Sequence, residues 1–265
     1  MGLNSDELDF LDRAERAIEA GNPYAMVDWA SFYSVEHPEL ITDEITPKII
    51  KYFNEGIKED IPKAYLNLGA MYYDGKYVKQ NYETALSYYE VAAESDEDDI
   101  SKIALTNIGY YYMYHAKDYK SAADYFMKAF SRNDATAAYK IGDMYAKGLF
   151  FSKDEKTAFN YYKIALKLCD NDTTAGSILK RLGTAIYYGR GSEKDLKEAL
   201  LHLTRAEGLL MQSALKGESF AKERLKDLEI VLAKAKAEFS KRENKEDKKP
   251  TKVKDLILAD STILN

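Results

Sequence analysis

A dipeptide of one apolar residue followed by glycine recurs along this chain, and its recurrence constrains the possible folds more than any other feature. The four copies are Leu68-Gly69, Ile108-Gly109, Ile141-Gly142 and Leu182-Gly183, and their glycines lie 40, 33 and 41 residues apart. Periods in this range are typical of helix-pair repeats, in which each unit buries its apolar flanks against the next. The period therefore predicts an array of stacked units instead of one central core.

The residues around each dipeptide keep constant offsets, and these offsets predict a first helix in every unit. Offsets of three, four and seven residues place side chains on one face of a helix. The glycine lets two helix axes approach closely, so that bulkier Tyr and Leu side chains fill the adjoining holes. Six residues after each glycine comes the position predicted to cap the helix, which holds Gly75, His115, Gly148 and Gly189.

A second block follows each first block and predicts the second helix of the pair. It begins and ends on alanines seven residues apart, with a bulky pair between them, as in Ala85, Tyr88-Tyr89 and Ala92. A fainter copy around Trp29 and Ala30 lies upstream, and a half copy with Ala221 and Leu225 lies downstream. The extra stretch 207–215 predicts that the last second helix is longer by about two turns.

These blocks predict five helix pairs between two capping helices. The predicted N-terminal capping helix spans residues 1–20, and the predicted C-terminal capping helix spans 217–240. A charged linker and a short apolar tail, 241–265, follow it. The five predicted repeats cover 21–60, 61–97, 98–134, 135–172 and 173–216.

The combined pattern resembles the Sel-one-like repeat of the tetratricopeptide-repeat superfamily. The resemblance spans about residues 20–230 and is clearest from Ala64 through Leu68-Gly69 to Gly75, continued by Asn81-Tyr82-Glu83 and Ala85. It implies an all-α fold, a right-handed α-solenoid of antiparallel helix pairs with the first helix of each pair on the inner face. It also implies adaptor or scaffold roles with no catalysis inherent in the repeat. The cysteines that staple the pairs in secreted relatives are absent here.

If the array forms, the face of each first helix that is not used for packing becomes a concave stripe. This stripe is rich in tyrosine, a residue type enriched at interface hot spots. The alternative is that many of these tyrosines pack between repeats. The predicted partner-binding residues are Tyr73, Tyr110, Met113, Tyr114, Tyr139, Asp143, Lys147, Lys180, Tyr187 and Tyr188.

Charge and cysteine content narrow the class of partner. The net charge of -6 and the pI of about 5.3 argue against nucleic-acid binding, which needs basic surface to neutralise phosphates. No apolar run has the length of a membrane span, and the N-terminus has no secretory signal. The single cysteine, Cys169, excludes an intrachain disulfide, so we expect a cytoplasmic protein.

No motif in the chain indicates catalysis, a metal or a cofactor. The histidines at 37, 115 and 202 lack metal-ligand spacing, and Gly189-Arg190-Gly191-Ser192 lacks the Gly-Lys-Ser/Thr ending of a phosphate loop. We therefore expect a non-enzymatic scaffold or adaptor that holds a protein or peptide along the concave face. An immunity protein or enzyme inhibitor is the alternative, and a hydrolase with an unrecognised site is the third hypothesis.

Overall fold

The structure is a computed structural model that describes residues 3–215 and 219–243. Within these residues every regular element is helical. The predicted all-α solenoid class is confirmed. Residues 244–265, which hold most of the predicted linker and tail, lie outside the described part, as do 216–218. The finer repeat boundaries stay a prediction.

Helices contact one another in chain order within two compact units, residues 1–132 and 133–265. The first unit holds an initial helix, α1 (Ser5–Glu19), and three consecutive pairs. Each pair consists of a first and a second helix, and within this unit α3 also packs against α4 and α5 against α6. The pairs are α2 (Pro23–Ser31) with α3 (Ile45–Lys58), α4 (Pro62–Asp74) with α5 (Tyr82–Ala93), and α6 (Asp98–Tyr110) with α7 (Tyr119–Ser131).

The second unit holds two pairs and a closing helix. They are α8 (Ala135–Lys147) with α9 (Glu155–Leu168), α10 (Asp172–Tyr188) with α11 (Leu196–Leu215), and α12 (Ser219–Glu243). Helix α11 spans 20 residues against 14 for α9, so the predicted extension of the last second helix is present. Helix α12 packs mainly on α11 and also touches α10.

The recurrent glycines lie where the two helices of a pair meet. A Cβ atom at Gly109 would lie 2.5 Å from the Cε1 atom of Phe126 on α7, closer than two carbon atoms tolerate. Gly69, Gly142 and Gly183 face the bulky residues Tyr89, Tyr162 and Leu203 in the same way. The repeat therefore uses glycine to bring paired helices together, with a large side chain lying over it.

The ends of the first helices depend on whether a capping glycine is present. Helices α4, α8 and α10 end at left-handed glycines, as predicted. Helix α6 instead continues into a π-helical turn, Tyr111–Ala116, whose left-handed residue is Lys117 with φ 58°. The prediction that His115 takes the C-cap is wrong. The wider turn moves the left-handed conformation two residues along the chain, from position 115 to Lys117.

Candidate functional site

Tyrosines of α4 and α6 come together at the C-terminal ends of these two first helices. The rings of Tyr110 and Tyr114 stack with centroids 5.9 Å apart and an interplanar angle of 28°. The ring of Tyr73 contacts that of Tyr82 at 5.2 Å, edge to face. The ring of Tyr82 lies 4.1 Å from that of His115. We call these five residues the aromatic surface.

The π-helical turn after α6 presents Tyr114 to solvent. Its side chain is 49% exposed, whereas Met113, one residue earlier, is only 5% exposed. Turns of this type contain one more residue than an α-helical turn and are frequent at functional sites. The turn thus provides an exposed ring on an otherwise packed helix end.

The phenol of Tyr73 stays protonated across the physiological range. Burial raises its pKa to about 12, and the neighbouring groups Tyr82, Asp74 and Tyr114 act in the same direction. A protonated phenol is both a hydrogen-bond donor and an acceptor. The aromatic surface therefore combines ring faces with neutral polar groups, which suits contact with a polypeptide.

The predicted residues of the second unit do not form an open stripe. Tyr139 and Tyr187 are buried, at 2% and 8% exposure. Lys180 donates to the Asp227 carboxylate at 3.1 Å and to the Arg224 carbonyl oxygen at 3.3 Å, both on α12. Their position on the first helices was predicted, but packing against neighbouring helices covers them.

Asp143 lies in a polar cluster between α8, α9 and α10. Its two carboxylate oxygens accept hydrogen bonds from Nε and Nη2 of Arg181, each at 2.7 Å, and Oδ1 also accepts one from the Tyr162 hydroxyl at 3.0 Å. Burial alone would raise the pKa of Asp143, but the charge and hydrogen bonds of Arg181 outweigh it and hold that pKa below its ordinary value. The guanidinium lies 4.4 Å from the Tyr139 ring centroid.

Lys140 is the most deeply buried cation of this cluster. It is 5% exposed, and burial lowers its pKa to about 7, although Asp143 opposes the shift.

Lys147 and Tyr188 remain at the surface, and the guanidinium of Arg190 lies 4.7 Å from the Tyr188 ring centroid. The structure thus brings together Tyr73, Tyr110 and Tyr114, leaves Lys147 and Tyr188 exposed on the second unit, and buries or pairs the other predicted residues.

Arg181 was not among the predicted site residues, although its position in the repeat indicated a structural role. It lies two residues before a repeat glycine, a position that is polar in every copy, and the residues there are Asp28, Asn67, Asn107, Lys140 and Arg181. The amide of Asn67 donates to the Ser31 hydroxyl of the preceding pair at 2.8 Å, as Arg181 donates to the preceding pair through Asp143. The position therefore links successive repeats. No comparable pattern in the sequence indicated that Tyr82 and His115 would join the aromatic surface.

No group of three or more His, Cys, Asp or Glu side chains is arranged to hold a metal ion in the part of the chain that the structure describes. None of the described helices combines the length and the apolar character needed to cross a membrane.

Three segments of the chain match the model of the Sel1 repeat, residues 62–97, 135–168 and 179–207. They cover most of the pairs α4–α5, α8–α9 and α10–α11. The resemblance predicted from the sequence is confirmed. The pairs α2–α3 and α6–α7, whose first helices end in π-helical turns, lie outside the matched segments. No curated protein matches the chain.

Solved structures share the fold at low sequence identity. A Sel1 repeat protein from Oxalobacter formigenes is 23% identical with a TM-score of 0.59, over 81% of this chain and 88% of that chain. A protective antigen of uropathogenic Escherichia coli, c5321, is 20% identical with a TM-score of 0.61, over 89% of this chain and 51% of that chain. Immunity protein Pa5087 from Pseudomonas aeruginosa is 19% identical with a TM-score of 0.49, over 79% and 84%, which is too distant to bear on function.

Proposed function

We propose that this chain, which carries Sel1 repeats in both of its units, is a non-catalytic scaffold that binds a protein or peptide through the aromatic surface of the first unit. Sel1 repeats generally mediate protein–protein interactions. The observation that carries the proposal is the half-exposed ring of Tyr114, which stacks on Tyr110. Exposed, well-supported aromatic rings contribute a large share of binding energy at interfaces, because they lose little conformational entropy on contact.

The surface suits a polypeptide partner. Ring faces accept apolar side chains, and protonated phenols pair with backbone carbonyl and amide groups. The net charge of -6 disfavours an anionic polymer. The contacts that we assign are Tyr73, Tyr110 and Tyr114, with exposed Lys147 and Tyr188 as further candidates in the second unit. Met113, Tyr139 and Tyr187 are buried and are not assigned as contacts, although the Tyr187 ring packs against that of Tyr188.

A matched pair of variants tests the proposal. Tyr114→Ala removes the exposed ring, and Val91→Ala removes a side chain of similar exposure, 48%, on α5. Both variants and the wild type are immobilised and used to capture proteins from the source cell, and the affinity for each captured protein is then measured. We expect Tyr114→Ala to weaken binding at least tenfold while Val91→Ala and both melting temperatures change little. Equal affinities for wild type and Tyr114→Ala would show the proposal to be wrong.

The same experiment decides the immunity or inhibitor role that the sequence leaves open. The acidic net charge favours a basic partner in that case, because complementary charge speeds encounter. A captured enzyme whose activity is suppressed stoichiometrically by the wild type, and not by Tyr114→Ala, would assign that role. A cytoplasmic location belongs to the proposal as well, since the free thiol of Cys169 suits a reducing compartment.

A further inference from the structure

A cleft of about 630 Å³ opens on the second unit, and the described residues that line it differ from those predicted to bind a partner. One wall is the end of α9, the other is the C-terminal half of α11, and the first turns of α10 lie between them. Its apolar lining comes from Leu166, Leu179 and Leu209, with Gly208 beside Leu209 on the α11 wall. Its size and apolar lining fit several side chains of a bound polypeptide.

Gly208 has no packing reason to be glycine. It lies inside α11, where glycine destabilises a helix relative to alanine. A Cβ atom at this position would meet no other heavy atom within 4 Å. The glycines of the repeat motif differ, because a large side chain lies over each of them. The missing side chain at Gly208 leaves the cleft open, so the residue favours access to the cleft at the expense of helix stability.

Two cations flank the cleft, one on each wall. Lys167 is the penultimate residue of α9, and Arg205 lies on α11, three residues before Gly208. Among the described residues neither side chain forms an ion pair or a side-chain hydrogen bond. A ligand of opposite charge can pair with both side chains at once, because they carry the same charge on opposite walls of the cleft. The acids Asp170 and Asp172 also line the cleft, on either side of Asn171, which caps α10.

The first unit has a cleft at the equivalent place, and its charges differ. It has a volume of about 560 Å³ and lies between α5 and α7. There Glu94 takes the place of Lys167, and Lys128 takes the place of Arg205, so its walls carry opposite charges. The Lys128 ammonium lies 4.8 Å from the Tyr125 ring centroid. Two cationic walls are thus particular to the second unit and are not imposed by the repeat.

We propose that the cleft between α9 and α11 binds an acidic amphipathic helix of a partner protein. Apolar side chains of that helix fill the space over Leu179, and carboxylates on its two flanks pair with Lys167 and Arg205. A helix is the shape that lies between two neighbouring helices and presents residues of one stripe to the floor. This surface is separate from the aromatic surface, and the two proposals are tested by different variants.

The test uses two synthetic probes and the full chain. One is a fluorescein-labelled amphipathic 18-residue peptide (a length of about five helical turns) with leucine on one face and glutamate on both flanks. The other has lysine in place of every glutamate. Fluorescence anisotropy is expected to show at least tenfold tighter binding of the glutamate peptide. The double variant Lys167→Glu/Arg205→Glu is expected to reverse that preference. Lys156→Glu/Lys163→Glu, with the same change of net charge, is expected to keep it.

Closing the cleft tests the site independently of charge. Gly208→Leu extends a side chain into the cleft from a position where a Cβ atom meets no neighbour, so we expect it to abolish binding of the glutamate peptide and to leave the melting temperature unchanged or higher. Unchanged peptide binding by Gly208→Leu, or equal affinity for the two peptides, would overturn the proposal. So would self-association of the wild type that Gly208→Leu abolishes, since the occupant would then be a second copy. Peptide binding seen only after deletion of residues 251–265 would identify the chain's own segment as the occupant instead.

Discussion

Arg181 on α10 holds both carboxylate oxygens of Asp143 on α8, through two hydrogen bonds of 2.7 Å. The two residues belong to successive helix pairs, so this ion pair joins one repeat to the next. Both side chains are largely buried, at 21% and 14% exposure. Desolvation offsets much of the attraction within a buried pair, but breaking the pair is strongly destabilising, because removal of one partner leaves the other charge without compensation.

We expect Arg181→Met to lower the free energy of unfolding by about 3 kcal/mol, because it leaves the Asp143 carboxylate buried and unpaired. The double variant Arg181→Met/Asp143→Leu should lose less than Arg181→Met alone. Urea denaturation at neutral pH measures both. As a control, Lys153→Met breaks the exposed pair with Glu155 and should cost less than about 1 kcal/mol. A loss for Arg181→Met no greater than that of the control would contradict the role assigned to the pair.

The same pair predicts a dependence on pH in acid. The pKa of Asp143 is lowered in the folded protein, so its contribution is present above the ordinary pKa of aspartate and is lost as the pH falls through the folded value. The difference in stability between the wild type and Asp143→Asn should therefore be constant near neutrality and shrink below about pH 4. Denaturation curves across this range measure it. A difference that does not change in acid would mean that Asp143 titrates normally.

For Lys140 we expect a change in stability at neutral to alkaline pH instead of in acid. Burial lowers its pKa to about 7, so the folded protein releases a proton there that the unfolded chain keeps until about pH 10. Wild-type stability should therefore rise from pH 7 to 10 relative to Lys140→Met, which carries no titrating group. We expect Lys140→Met to be the more stable protein below pH 7, by an advantage of the order of 3 kcal/mol that disappears by pH 10. Melting temperatures of the two proteins across that range test this, and parallel curves would refute it.

Substitution of alanine for each of two helical glycines should change the free energy of unfolding in opposite directions. Gly109→Ala puts a methyl group 2.5 Å from the Phe126 ring, and we expect a loss of about 2 kcal/mol. Gly208→Ala meets no neighbour and should gain up to about 1 kcal/mol from helix propensity. Both changes add the same atoms to a helix, so the difference between them measures packing. Adding Phe126→Leu should restore part of the loss in Gly109→Ala, and failure to do so would place the strain elsewhere.

The π-helical turn after α6 predicts where glycine is tolerated. Lys117 adopts a left-handed conformation that glycine reaches without strain, so Lys117→Gly should change stability by less than about 1 kcal/mol and in the favourable direction. His115→Gly should destabilise, because it removes the ring that contacts Tyr82 and adds backbone freedom inside the turn. Thermal unfolding of both variants checks the order. A higher melting temperature for His115→Gly would support the cap position predicted from the sequence.

The path of the helices followed from the sequence because its determinants are local. Each pair depends on small residues and bulky ones at fixed offsets, and these offsets lie within about 40 residues of chain. The repeat offsets place Gly109 and the bulky pair Tyr125-Phe126 at the matching positions of their helices, and the structure selects Phe126 as the residue that lies over the glycine. The closing helix and the extension of α11 followed from the same periodicity.

Which of the predicted binding residues are exposed and which are paired could not be derived from the sequence, because exposure and pairing depend on side chains from distant parts of the chain. Tyr114 is exposed because a missing glycine widens the turn after α6, whereas Tyr139 is buried beneath the guanidinium of Arg181. Periodicity places both tyrosines on first helices but says nothing of which neighbour covers them.

The sequence by itself thus determined the repeat, its helix pairs and the positions where helices approach, since these depend on spacing along one segment. Only the tertiary structure decided that Asp143 belongs to an ion pair and that an open cleft lies beside Gly208. Both depend on how side chains from neighbouring repeats meet across 30 to 40 residues of sequence, and periodicity sets the spacing of such contacts without choosing their partners.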